Sequence, residues 1–458
     1  MPDKRRRLFV ASCMALVANA MGFSICTDIM GDFEHAFKLT KMQAGEAVSW
    51  GAIGGTIVLF FGGALLDSIG IGSALWLACV MHLCGLTTVI LAKGFMGLAV
   101  GFLFLAIAGG LVELTINPLA ATIYPEKKIH ILNVLHAWWP GGIIIGGLLA
   151  YGFTKALEHA GASEAVRQAS WQIKMAFVYV PVVLYAILIF GQKFPKTERA
   201  QAGIPAGTML REALRPMFLL LVFCMFLTAS TELSPNRWVG VFIQDIVGIR
   251  GILFLIYASG LMFVLRFFAG PLAHALSPLG LLVASSVLSA LGLLAMSYSN
   301  GVWAIFAAAT VFGVGVAYYW PTMLGVVAER FPKGGAFLLG IIGAAGGLFV
   351  SYVGNPGMGK LHDHYTLESL PPALSAKVVE KGRVDKEKEA VLPEVDKKTI
   401  EEARRNAATT TFRWMALLPT ALVVIFGMML LCERGKRHEE LPAPPSGPGD
   451  TRQVTSER

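Results

Sequence analysis

Apolar stretches of about twenty residues recur along the whole chain, and about twenty is the number an α-helix needs to cross a hydrocarbon layer about 30 Å thick. They run approximately over 8–30, 44–66, 72–92, 95–118, 131–153, 173–191, 216–234, 251–273, 279–298, 302–327, 335–356 and 411–432, twelve in all. A backbone in lipid must satisfy its own hydrogen bonds, so runs of this length predict helices rather than open strands. Composition agrees: 55% of residues are hydrophobic, 15% are charged, and the mean hydropathy is +0.63. A soluble domain carries about 25% charge. The sequence therefore excludes a soluble enzyme, a disordered chain, a collagen and a secreted disulfide scaffold. The expected fold class is all-α integral membrane.

The net charge of +8 does not point to nucleic acid, because the basic residues sit between apolar blocks and form no aromatic-interleaved patch. That distribution suits loops facing an anionic leaflet. With the N-terminus placed inside, the inner segments carry twice the Lys and Arg of the short outer ones. Both termini are therefore expected in the cytoplasm of a multi-pass cell-membrane protein. Lys4 to Arg7, followed by an apolar run and Ala18-Asn19-Ala20, imitates a cleavable signal peptide. The internal repeat needs this run as its first helix, which favours its retention. The six cysteines lie in apolar runs without a Cys-x-x-Cys, so no metal site or disulfide framework is expected.

Shifting the chain by 207 residues places 61–86 over 268–293, with seven of 26 positions identical, Gly63 and Gly85 among them. The same shift carries the start of the first span to the start of the seventh. The expected organisation is a six-helix bundle (1–192), a linker (193–215) and a second six-helix bundle (216–432), with a polar tail at 433–458. The segment 357–410 carries ten Lys/Arg and ten Asp/Glu and reads as an external, partly helical cap.

Polar groups inside apolar blocks are the informative ones, because a charge at the bilayer centre costs about 2.5–3.5 kcal/mol on insertion scales. Glu113 lies eleven residues before Tyr124-Pro125, about 16 Å deep at 1.5 Å per residue. Asn117 shares its face at i+4, and Pro118 frees a carbonyl in the preceding turn. A carboxyl in such a place is suited to binding and releasing a proton; the alternative is a structural carboxyl bonded to a neighbouring helix. Asp28 is either a second cavity carboxyl or a helix-end residue. Asn19 is deeper, and either contacts a ligand or joins helices. Asn133 and His136 share a face of the fifth span with Pro140, and Trp139 follows them. Amides and an imidazole beside an indole fit a hydroxylated solute. In the second half, Glu232, Arg237 and Trp238 cluster where Pro235 is expected to end the seventh span, as an ion pair or a gate. Arg266, about 12 Å inside His274, needs a counter-charge. Tyr319 and Trp320 precede Pro321 at an expected break in the tenth span. His82 stands alone and is given no role. The sequence holds no phosphate-cradling loop, no metal-spaced His cluster and no nucleophile elbow, so no cofactor, metal or catalytic residue is expected.

Two six-helix halves, the linker and the Gly63-x-Leu65-x-Asp67 turn after the second span resemble the major facilitator superfamily over nearly the whole chain. Members usually follow this Asp with basic residues; here Ser68 to Gly72 has none, and His274 stands at the second-half position. Glu113-Leu114-Thr115-Ile116-Asn117-Pro118 further resembles the Glu-x-x-x-Asn-Pro signature of the fucose permease-like branch, the fucose–galactose–proton symporters. Leu132-Asn133, Glu232 with Trp238, and Trp320-Pro321-Thr322 resemble other parts of it. Trp139 stands where those permeases place an asparagine. The resemblance implies proton coupling through Glu113 and Asp28. It also implies a solute site among Asn117, Asn133, His136, Trp139, Asn19, Tyr319 and Trp320, with Glu232, Arg237, Trp238, Arg266 and Asp67 in gating or ion pairs.

The expected function is secondary active transport, namely symport of protons with a sugar or similar small polar solute, by a monomer in the lipid bilayer. Export of a drug or metabolite remains open, as does a non-transporting nutrient sensor of the same fold.

Overall fold

A computed structural model describes residues 2–39, 41–247, 251–299, 301–380 and 382–439. The first half holds α1 (Pro2–Asp28), α2 (Met30–Phe37), α3 (Lys41–Ile69), α4 (Ile71–Ile90), α5 (Phe95–Ile123), α6 (Lys128–His159), α7 (Glu164–Ala169), α8 (Trp171–Ala176) and α9 (Tyr179–Ile189). The linker carries α10 (Glu198–Gln201) and α11 (Ala206–Ala213). The second half holds α12 (Pro216–Val247), α13 (Gly251–Arg266), α14 (Ala269–Leu276), α15 (Pro278–Tyr298), α16 (Val302–Val316), α17 (Tyr319–Arg330) and α18 (Gly335–Phe349). After a π-helical turn over 350–354 come α19 (Asn355–Ser369), α20 (Pro372–Val378), the hairpin β1 (Val379–Glu380) and β2 (Arg383–Val384), α21 (Lys386–Ala390), α22 (Glu394–Met415) and α23 (Leu417–Glu439).

Among the described residues, ten helical stretches are long and apolar enough to span a membrane. The pair α13–α14, bent by 62°, makes an eleventh, and the apolar part of α3, Gly54–Ile69, supplies the remaining one. Six lie in each half, as the sequence predicts.

Two expectations change. The seventh span does not end at Pro235: α12 runs on to Val247 with the proline inside it. Ending a helix in lipid would expose several backbone groups, whereas continuing through a proline loses one hydrogen bond. The eleventh span likewise extends past residue 356 into α19. With α22 and the hairpin, α19 forms a compact cap over a small core of Leu370, Leu374, Val378, Ile400 and Ala403. Arg404 clamps Glu389 there with two hydrogen bonds of 2.7 Å.

The repeat has a structural meaning. Gly63 of the second span packs against the backbone of Ala336 and Phe337 in α18, and its partner in the repeat, Gly270 of the eighth, packs against His130 in α6. Each glycine lets one half touch the other, and a Cβ at either would collide. Ile129 against Gly325 and Asn133 against Thr322 complete this seam. All of these contacts lie toward the ends of the spans that adjoin the linker, so the linker face is closed.

Candidate functional site

The first-half wall of the site begins on α5. Asn117 donates from Nδ2 to Glu113 Oε2 at 3.0 Å and to the Glu113 carbonyl at 2.9 Å. Its Oδ1 accepts from His136 Nε2 of α6 at 2.9 Å. Asn117 and His136 are 4% and 3% exposed, and Glu113 is the partly exposed member of the three. Trp139, one turn beyond His136, lies 6.1 Å centroid to centroid from Phe23 of α1.

The second half adds a buried ion pair. Arg266, at the end of α13, donates to Glu232 Oε1 at 2.8 Å, and both side chains are 3% exposed. Its other donors go to two main-chain carbonyls, Ala317 at 2.7 Å and His136 at 2.6 Å. Those two carbonyls have a common origin. Ala317 is four residues before Pro321, and His136 four before Pro140. Proline has no N–H to return to the i−4 carbonyl, so each proline orphans one buried acceptor. A single guanidinium satisfies both, one in each half of the molecule. Glu232 completes the break in the tenth span by accepting the Trp320 backbone N–H at 3.3 Å, one of the unpaired donors at the start of α17. A continuous polar chain therefore runs from Glu113 through Asn117, His136 and Arg266 to Glu232, crossing from one half to the other.

Other expected residues fall elsewhere. Asp28 is not joined to Glu113; it lies at the end of α1, bonded to Lys174 of α8 at 2.8 Å. This is the helix-end alternative, and the ion pair has its physical cause in the burial of Lys174, whose side chain is 7% exposed. Asn133 is fully buried in the seam, donating to Thr322 Oγ1 at 3.2 Å. Asn19 Oδ1 accepts from His82 Nε2 at 2.8 Å. Tyr319 is fully buried, its hydroxyl without a hydrogen-bond partner among the described residues, while Trp320 is partly exposed. Asp67 accepts a hydrogen bond from Thr197 Oγ1 and so joins the linker to the first half. Glu232 pairs with Arg266; the side chains of Arg237 and Trp238 lie outside the described residues. Sequence reading missed His82, Tyr185, Lys174 and Thr322. The i−4 carbonyls of Pro140 and Pro321 were a usable signal for Arg266.

The fold is similar to those of solved transporters. The Escherichia coli fucose:proton symporter FucP matches with a TM-score of 0.65 at 16% identity, covering 90% of this chain and 98% of that one. The proton:xylose symporter XylE matches at 0.68 and 13%, covering 93% and 96%. The human organic anion transporter MFSD10 matches at 0.65 and 12%, covering 92% and 99%. No curated protein matches the chain in sequence. The family model of the Major Facilitator Superfamily matches residues 8–352. With twelve spans in two halves and that match over most of its length, the chain belongs to the Major Facilitator Superfamily.

Proposed function

We propose that the protein is a proton-coupled symporter of a sugar or similar small neutral solute, working by alternating access as a monomer in the cell membrane with both termini cytoplasmic. The observation that carries this reading is the polar chain from Glu113 to Glu232. A carboxyl that can gain and lose a proton lies two hydrogen bonds from His136, whose main-chain carbonyl Arg266 holds across the two halves.

The chain implies a sequence of events. When ionised, Glu113 accepts from Asn117, which in turn accepts from His136. Protonation changes one carboxyl oxygen from acceptor to donor and frees it to bond a solute hydroxyl. The same change loosens the Asn117–His136 arrangement beside the His136 carbonyl, one of the three acceptors of Arg266. When the linker face opens, water reaches that carbonyl and replaces the guanidinium. Asp28, neutralised by Lys174, serves the outer end of α1, so proton carriage rests on Glu113.

That FucP is a fucose:proton symporter and XylE a proton:xylose symporter supports the same class of cargo. An anionic cargo of the kind named for MFSD10 fits the site less well, because its buried cation, Arg266, is already paired with Glu232. Export and sensing are separated by direct assay. Proteoliposomes with an imposed pH gradient of each sign are expected to accumulate L-fucose or D-xylose only when protons flow inward with it. Glu113→Gln is expected to abolish accumulation and to retain counterflow. A Glu113→Gln protein that still accumulates sugar on a proton gradient would refute the mechanism, and binding without counterflow would indicate a sensor.

A further inference from the structure

Asn19, His82 and Tyr185 come from three helices, α1, α4 and α9, and meet in the first half. His82 is 2% exposed and uses both ring nitrogens: Nε2 lies 2.8 Å from Asn19 Oδ1 and Nδ1 lies 3.0 Å from the Tyr185 hydroxyl. Tyr185 is fully buried. Asn19 is different, being partly exposed. A side-chain amide has one acceptor oxygen and two donor hydrogens. Here the oxygen is taken on the buried side, and the NH2 has no partner among the described residues. Asparagine acting only as glue between helices would use both ends, since an unpaired donor in a membrane bundle is costly.

The surroundings show where that NH2 is available. The Asn19 amide lies beside Gly109 of α5, about 3.6 Å from where a Cβ would stand. Gly109 precedes Glu113 by four residues, so both are on one face of α5, about 6 Å apart along the axis. Phe23, one turn after Asn19 on α1, faces Trp139. A side-chain-free position thus lies beside the Asn19 amide and one turn before Glu113.

We infer that His82 and Tyr185 are positioning residues that turn the Asn19 amide so that its NH2 faces the cavity, making Asn19 a fixed donor that selects solutes carrying a neutral oxygen acceptor, such as a hydroxyl or ring oxygen, within one helical turn of Glu113. This orientation requires that Tyr185 donate to His82 Nδ1, which leaves the proton on Nε2 and so points the Asn19 oxygen inward. A sugar hydroxyl both donates and accepts, and here meets the acceptor Glu113 and the donor Asn19. This deepens the symport reading and rests on it.

The test has two arms. The first needs no solute: ¹⁵N NMR of histidine-labelled protein in nanodiscs, with His82 assigned through His82→Gln. The neutral Nε2–H form is expected, with its signal moved by Tyr185→Phe. A His82 carrying its proton on Nδ1 would turn the amide over and overturn the inference. The second arm is counterflow of L-fucose and D-xylose and of their monodeoxy analogues. Loss of one neutral hydrogen bond corresponds to about 5–10-fold in half-saturating concentration. The wild type is expected to discriminate by that factor against one deoxy analogue. Asn19→Ala should abolish the discrimination; His82→Phe should weaken it, raising half-saturation more than it lowers the maximal rate; and His82→Gln, which keeps a donor, should restore it. If His82→Phe lowers thermal stability while the selectivity ratio stays at the wild-type value, the pair is merely structural and the inference fails. If the wild type moves neither sugar, the symport reading fails, and the tautomer measurement still judges the geometry separately.

Discussion

Replacing Arg266 with methionine tests the physical reason for the buried ion pair. The substitution removes three hydrogen bonds of 2.6 to 2.8 Å at a site 2% exposed. It leaves Glu232 as an unpaired buried carboxyl, and breaking such a pair costs about 3–5 kcal/mol. It also leaves the carbonyls of Ala317 and His136 unsatisfied, at about 1–3 kcal/mol each where water does not reach. Whole-protein stabilities of about 5–15 kcal/mol make a loss of this size large. The contributions separate by rescue. Adding Glu232→Leu removes the stranded carboxyl, and the double variant should be more stable than Arg266→Met alone. Adding Pro140→Ala and Pro321→Ala returns an N–H to each orphaned carbonyl, and stability should rise again. In an otherwise native protein the same two proline substitutions remove acceptors from Arg266, so their benefit should be smaller there. The assay is thermal unfolding of purified protein in one detergent, followed by fluorescence-detected size exclusion. If the prolines rescue no more in the Arg266→Met background than in the native one, Arg266 does not serve those carbonyls and the reasoning is wrong.

Three further outcomes follow from other contacts. Gly63→Leu drives a side chain into the backbone of α18, and Gly270→Leu does the same at His130; overpacking costs about 1–3 kcal/mol. Because the cost falls only on the closed linker face, alkylation of a cysteine placed at Ala336 should quicken by about 5- to 150-fold. Burial raises the carboxyl of Asp32 above its ordinary value, with Lys174 opposing and Asp28 adding to the rise. Its folded form therefore holds a proton more tightly than its unfolded form, and stability falls as pH rises from the ordinary aspartate value through the raised one. Asp32→Asn should accordingly stabilise the protein at neutral pH and lose that advantage near pH 3–4, as read by melting temperature against pH, about the ordinary aspartate range. Ile400→Ala should cost about 2–5 kcal/mol within the cap, seen as faster proteolysis between α21 and α22 with sugar counterflow retained.

The cap shows how far a charged segment can be understood from its sequence. Its equal numbers of acidic and basic residues mark it as water-facing, and its few apolar residues gave no obvious pattern. The structure collects Leu374, Val378 and Ile400 into one small core because α19 and α22, which adjoin the last two spans, pack against each other. The seventh span illustrates the opposite difficulty: Pro235 is a strong local stop signal in water and a weak one in lipid.

The sequence by itself determined the membrane class, the twelve spans, the two related halves and the exceptional residues Glu113, Asn117, His136, Glu232 and Arg266. It could do so because hydrophobic length and the cost of burying a polar group are local properties. It also placed Glu113 and Asn117 on one face, since helical periodicity fixes i and i+4 neighbours. Only the tertiary structure decided which polar groups are partners. Arg266 could have met any acid in the membrane, and it met Glu232 because the prolines at 140 and 321 opened two carbonyls within its reach. Asp28 was drawn to Lys174 rather than to Glu113, and His82, which alone looked inert, found Asn19 and Tyr185. These pairings join residues 34 to 146 positions apart, and no periodicity within one helix carries information about the helix packed against it.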